Sequence, residues 1–196
     1  MSAGTYATEW KAAIERTRRF GLDPGLECGV SWNSGKLRYL TDERCAEFPT
    51  VMLRVLGPLS VADLAAQCLA LHLRLRPVVS AWLGCSAHFT LGWIDDGTDH
   101  GIFRFDDAFI SKSLTAGHHA ADINVHAWLT LPSMEIVDAS LLTTIALVQG
   151  IPERLGSVLL KQADEVVGMT YRPMLVGHEF LIGAGLLQGP RMRDVE

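Results

Sequence analysis

The stretch from Ile123 to Val137 constrains the fold more than any other. Ile123 to Leu131 alternates between apolar and polar positions, Pro132-Ser133 interrupts it, and Glu135 to Val137 resumes it. A period of two on both sides of a turn signal is a β-hairpin. With the turn centred on Pro132, His126 and Asp138 stand directly opposite each other. Directly opposed residues of an antiparallel pair have Cβ atoms ~4.5–5.5 Å apart and share a face. An imidazole and a carboxylate so placed hydrogen-bond. The carboxylate then fixes the tautomer and stabilises the imidazolium, as a general base requires. The pairing depends on register, because a slip of one residue sends the two side chains to opposite faces. A structural role, tying the hairpin, is the competing reading of the same pair.

The rest of the chain falls into helical segments around this hairpin. Ala7 to Phe20 is amphipathic, with Trp10, Ala13 and Ile14 at helical spacing and Gly21 as a stop. Gly25 to Pro49 is rich in turn formers, Asn33-Ser34-Gly35 being the clearest, and Val51 to Leu56 is a short apolar run. A helix is expected from Ser60, with Val61, Leu64, Ala65, Cys68, Leu71 and Leu75 along its inward face. Pro77 then opens a second helix ended by Gly84. Ala87 to Ile94 reads as a strand, Ile102 to Phe105 as a second, and Asp106 to Ala121 as mostly loop. After the hairpin, Leu141 to Gln149, Leu155 to Asp164 and Glu179 to Leu187 read as helices, with a strand-like Val166 to Val176 before the last. The expected fold class is α+β: N-terminal helices, a central antiparallel β-sheet meander and C-terminal helices.

Size and composition narrow the function classes. A chain of 196 residues reads as one domain, here divided into an N-terminal extension (1–59), a central core (60–140) and a C-terminal helical part (141–196). The net charge of −5 and the absence of a long basic run argue against nucleic acid as a partner. No apolar run approaches the ~20 residues that span a bilayer. Met1-Ser-Ala-Gly-Thr-Tyr carries no export signal, so the expectation is a cytoplasmic protein with no membrane partner. Oligomeric state is not legible.

The cysteines, at 28, 45, 68 and 85, lie too far apart in sequence for a zinc knuckle, and a reducing compartment disfavours a disulfide framework. What remains is buried thiols, one catalytic thiol, or both. A His–carboxylate pair activates a thiol, whose ionised fraction rises beside an imidazolium. Cys68 on its helix and Cys85 on a loop entering a strand are the candidates. Gln67, just before Cys68, is a candidate oxyanion donor or simply an exposed glutamine. His118 and His119, with His100 or His178, make no metal site on this reading, since adjacent loop histidines point apart. Gly183-Ala184-Gly185 is no phosphate loop, and no cofactor is expected.

Cys68 with Leu69-Ala70-Leu71, then Gly92-Trp93-Ile94, His126-Ala127-Trp128-Leu129 and Ile136-Val137-Asp138, follow one another in an order that resembles the transglutaminase-like members of the papain-like thiol superfamily. Arylamine N-acetyltransferases and many uncharacterised bacterial proteins share that order. The resemblance runs over Ser60 to Ser140 and implies a papain-like core. It places the nucleophile on Cys68, the general base on His126 and the orienting carboxylate on Asp138. The implied activity is that of a thiol-dependent hydrolase or acyltransferase (protease, amidase, deamidase or transglutaminase type), acting on a peptide, protein or small amide or acyl substrate. The alternative is an inactive form of the same fold that serves as a binding or interaction module.

Overall fold

A computed structural model describes residues 5–26, 37–58, 60, 64, 67–118 and 123–187. The chain runs α1 (Tyr6–Arg19), α2 (Asp42–Leu56), α3 (Cys68–Leu83), β1 (His88–Asp95), α4 (Asp107–Ala116), β2 (His126–Thr130), β3 (Glu135–Asp138), α5 (Leu141–Gln149), β4 (Leu159–Gln162), β5 (Thr170–Val176) and α6 (Glu179–Gly183). Short 3-10 turns at Pro152–Arg154 and Ala163–Glu165 flank β4. The fold is α+β. Its five strands form one antiparallel sheet in the order β4-β3-β2-β1-β5. Strands β1 to β4 make a meander, and β5 returns to pair with the other edge of β1. No described helix is long and apolar enough to cross a membrane.

Both faces of the sheet are covered, which is why every residue of β2 is buried. Ala127 and Leu129 point into a core shared with Phe48 of α2 and Leu71, Leu75 and Val79 of α3. Trp128 points into a second core, shared with Tyr6, Trp10 and Ile14 of α1 and with Tyr171 of β5. The hydroxyls on this side are satisfied internally. Trp128 Nε1 donates to Tyr6 Oη at 2.7 Å, and Tyr6 Oη and Thr90 Oγ1 each pair with Thr130 Oγ1, at 2.7 and 2.8 Å. The N-terminal helix is thereby keyed to the middle strands by hydrogen bonds as well as by apolar area.

Several elements depart from the sequence expectation, each for a local reason. Asp42 to Leu56 is one helix, not turns followed by an apolar run: Thr41 Oγ1 accepts the Arg44 amide, and Phe48, Met52 and Leu56 form the buried stripe. Pro49 does not break it, nor does Pro77 divide α3. Both prolines are exposed, so the carbonyls they leave unbonded, four residues earlier, can turn toward water. Asp107 to Ala116 is helix rather than loop, because Asp106 caps it by accepting the Phe109 amide at 2.8 Å. Ile102 makes only an isolated bridge to Ile94, so the strand expected over Ile102 to Phe105 is absent. Leu155 to Asp164 is not helix: Gly156 turns the chain at φ 78°, and Leu159–Gln162 pairs with β3, whose edge would otherwise be open. The C-terminal third therefore supplies two strands, and its last helix ends at Gly183. The turn expected at Asn33-Ser34-Gly35 lies outside the described residues, as do 61–63 and 65–66 of the helix expected from Ser60.

Gly92 permits the closest approach in the sheet. The β1–β5 register shifts between Leu91 and Gly92. A Cβ on Gly92 would lie 2.2 Å from the Arg172 carbonyl oxygen and 2.5 Å from the Trp128 ring. One of those neighbours is backbone, and the other belongs to a fully buried ring. Gly92→Ala is therefore expected to destabilise the protein by about 3 kcal/mol, the upper end for overpacking. Denaturant unfolding checks this, and a loss under about 0.5 kcal/mol, the scale of a neutral surface change, would refute the close-approach account.

Candidate active site

Helix α3 begins at Cys68, where the sequence reading had the cysteine in mid-helix. Gln67 precedes it at φ −109°, ψ 20°, outside helical geometry. The apolar spacing across this point suits a continuous helix, so the break leaves no mark on periodicity. Its consequence is chemical. The amides of a first turn have no intrahelical acceptors and carry the positive end of the helix dipole. The Cys68 side chain is buried, and Sγ is 3.7 Å from the Val125 carbonyl, to which it donates. Val125 is the residue before His126.

His126 and Asp138 are paired, though not as directly opposed residues. The registered pairs are Leu129↔Val137 and Thr130↔Ile136, which sets Asp138 against Trp128 and leaves His126 diagonal to it. The turn holds three residues, Pro132 to Met134, with Met134 left-handed at φ 65°, so its centre is Ser133 and not Pro132. Moving the centre by one residue moves the partner by two, and an even shift keeps the face. A diagonal separation is within reach of a long side chain. His126 Nε2 lies 2.6 Å from Asp138 Oδ2.

Asp138 is fully buried and fully satisfied. Oδ2 also accepts the Tyr171 hydroxyl at 2.9 Å, while Oδ1 accepts the amides of Ser140 and Leu141, each at 3.0 Å, and the Ser140 hydroxyl at 3.3 Å. Tyr171 reaches the carboxylate from β5, and its own ring packs edge-on against Trp128 at 5.0 Å. The His126 ring is held flat between Phe103, at 5.4 Å and 17°, and Trp128, at 5.9 Å and 29°. Phe103 sits at φ 61°, a sparsely populated conformation for a bulky residue, at the point where its ring covers the imidazole.

His72, one turn along α3 from Cys68, completes the cluster. It is fully buried; Nδ1 is 2.8 Å from the Cys68 carbonyl, and Nε2 accepts the Ala139 amide at 3.1 Å. Nε2 is also 3.7 Å from Asp138 Oδ1, and the ring stands edge-on to His126 at 6.4 Å.

The two imidazoles titrate in opposite directions. Burial pulls His126 down, but the Asp138 charge and hydrogen bond, together with Cys68, outweigh it and raise the group to about 10. Burial dominates at His72 and lowers it to about 4. Asp138 is held well below the usual carboxylate range: burial opposes this, but the His126 charge and hydrogen bond prevail.

The remaining sequence candidates lie elsewhere. Cys85 follows the C-terminal end of α3, about 24 Å along the helix from Cys68 at 1.5 Å per residue over 16 residues. It is half-buried, and burial together with the Glu135 charge pushes its thiol up to about 11. The structure does not bring it to His126. Gln67 is exposed, and its carbonyl accepts the Leu71 amide. Cys45, on α2, is a free thiol raised by burial. Cys28 and His119 lie outside the described residues. His118 packs edge-on to Phe109, and among the described residues no three His, Cys, Asp or Glu side chains are grouped to hold a metal. A cleft of about 540 Å³, lined by Asp99, His100, Arg104, Phe105, Phe109 and Asn124, adjoins the segment that leads into His126. No protein-family model matches the chain, and no curated protein or solved structure matches it significantly.

Sequence reasoning passed over His72, Phe103 and the carboxylate contact of Tyr171. The one available signal was His72 itself, a polar residue on the stripe Cys68, Leu71, Leu75, Val79.

The opposed shifts give a two-sided pH dependence. His72, lowered from 6.5 to about 4, is neutral when folded and protonated when unfolded between those values, so stability is lost as pH falls through that window. His126, raised from 6.5 to about 10, contributes stability fully below 6.5 and loses it as pH rises through 10. His72→Gln is expected to flatten only the acidic limb of a plot of Tm against pH. Asp138→Asn is expected to cost about 3–5 kcal/mol, because it removes the charge opposite a buried imidazolium and sets an amide NH2 where His126 and Tyr171 find an acceptor. Equal acid sensitivity in wild type and His72→Gln would contradict the assignment of His72 as the neutral group.

Proposed function

We propose that the protein is a thiol-dependent hydrolase or acyltransferase with a papain-like, transglutaminase-like core. Cys68 is its nucleophile, His126 its acid–base group and Asp138 the carboxylate that orients His126. The observation that carries this is the buried 2.6 Å contact between His126 Nε2 and Asp138, on an imidazole that also meets the Cys68 side chain.

In the reaction, His126 Nδ1 holds the proton that leaves the Cys68 sulfur, and the thiolate attacks an acyl carbon. A C–S bond forms, and the carbonyl electron pair moves onto oxygen, beside the first-turn amides of α3. The C–N bond of the substrate then breaks as His126 gives its proton to the departing nitrogen, leaving a thioester on Cys68. Water, or a second amine, loses a proton to His126 while attacking that thioester. The C–S bond breaks, and the proton returns to sulfur. Asp138 keeps the imidazolium favoured through both halves without taking the proton itself. The substrate is a peptide, protein or small amide or acyl compound bound in the cleft beside Asn124.

The rival reading, a non-catalytic binding module, draws on the closed site, where Cys68 is 8% exposed and His126 1%. Iodoacetamide at about pH 6 separates the two, since only an activated thiol reacts quickly there. Peptide mapping is expected to find Cys68 alkylated before Cys45 and Cys85. His126→Ala should slow Cys68 by about 10²-fold or more, the usual scale for a lost acid–base group. If Cys68 reacts only after denaturation, the binding-module reading prevails.

A further inference from the structure

His72 has a bonding pattern that admits one protonation state and one tautomer. The Cys68 carbonyl only accepts, so the Nδ1 facing it at 2.8 Å carries the hydrogen. The Ala139 amide only donates, so Nε2 at 3.1 Å is bare. A proton on Nε2 would point at that amide and expel it. The ionisable groups that act on the ring are Asp138 from β3 and His126 from β2; on its own helix it meets the Cys68 carbonyl.

The two partners are what make this more than a satisfied core histidine. Cys68 is the first residue of α3, and Ala139 follows Asp138 directly. Registered pairing of β2 with β3 ends at Leu129↔Val137, so the Ala139 amide is taken by His72 and not by a residue of β2. One ring thus spans from the backbone that carries the thiol to the backbone that carries the carboxylate.

We propose that His72 is a positioning residue, a neutral bridge that holds the start of α3 against the end of β3 and so keeps the Cys68 thiol within reach of His126. This rests on the reading of Cys68 and His126 as a reactive pair. Its burial without charge is consistent with the lowered titration described above. A leucine at this position would fill the stripe but leave the Ala139 amide buried without an acceptor. A glutamine carries one donor and one acceptor at nearly the same separation as the two ring nitrogens, and it cannot titrate in this range.

The test compares His72→Gln and His72→Leu with wild type. Two readouts are used: native-state alkylation of Cys68 by iodoacetamide at about pH 6, and the titration midpoint of His126 from NMR of histidine-labelled protein. His72→Leu is expected to slow Cys68 alkylation about tenfold, the lower end for loss of an orienting partner, and to lower the His126 midpoint. His72→Gln should restore both to near wild type. If His72→Leu lowers Tm but moves neither readout, the residue is merely structural and the proposal fails. A folded His72→Gln as impaired as His72→Leu would show that the ring must titrate, which also overturns it. Should His72→Leu not fold, His72→Asn takes its place, being polar but too short to span both partners. If wild-type Cys68 proves inert, the enzyme reading falls, while the His126 midpoint across the variants still decides the role of His72.

Discussion

The buried contact between Asp138 and His126 is the interaction around which the rest of the structure is arranged. Taking a carboxylate and an imidazolium out of water costs several kcal/mol for each ion, and their attraction offsets this only if the remaining lone pairs are also satisfied. Asp138 meets that condition with donors from three places: Tyr171 on β5, the Ser140 hydroxyl, and the two amides that open α5. The carboxylate therefore also stabilises the start of a helix, where an anion is favoured. The return of β5 to the edge of β1 brings Tyr171 to the carboxylate. The aromatic slot of Phe103 and Trp128 fixes the plane of the ring. Removing any one of the donors to Asp138 leaves a buried charge with a vacant hydrogen-bonding position.

Geometry at the thiol follows from where a helix starts. Had α3 run back to Ser60, Cys68 would lie amid intrahelical bonds, and its side chain would be one more apolar group on the stripe. Starting at Cys68, the helix sets the thiol on its first turn, at the positive end of the dipole. Gly92 adds a second close approach on the sheet side. Without a side chain there, the Trp128 ring can lie over the β1–β5 bulge and form one wall of the histidine slot.

What the sequence made legible was parity rather than position. Alternation through Ile123 to Val137 assigned His126 and Asp138 to one face, and an error of one residue in the turn centre, which shifts the partner by two, preserved that assignment. Left-handed Met134, which moves the centre, has no signature of the kind a glycine or asparagine would leave. Helical period was informative about faces and uninformative about ends, because the break at Gln67 is conformational and falls between apolar positions of suitable spacing. Pro77, which reads as the opening of a second helix, and Pro49, which closes a stretch rich in turn formers, both lie inside helices, because the cost of a proline there depends on exposure, a tertiary property. The run Val158-Leu159-Leu160 suits either period, and only the open edge of β3 decides that it is strand. His72 was hidden for a related reason. A histidine on an apolar stripe is ordinary until its two backbone partners, Cys68 and Ala139, are known.

The contrast between His72 and His126 shows how much of the chemistry lies in surroundings and not in residue type. Both rings are buried, they stand 6.4 Å apart, and both approach the same carboxylate. His126 meets Asp138 at hydrogen-bonding distance along Nε2, so the charge interaction is gained in full. His72 approaches the other oxygen at 3.7 Å with a nitrogen already committed to an amide, so it bears the cost of burial with little return. A second imidazolium there would also repel the first. A single carboxylate can support one buried cation, and the Ala139 amide determines which ring it is. Neutrality at His72 thus leaves the full charge of Asp138 to His126, the ring that faces the thiol.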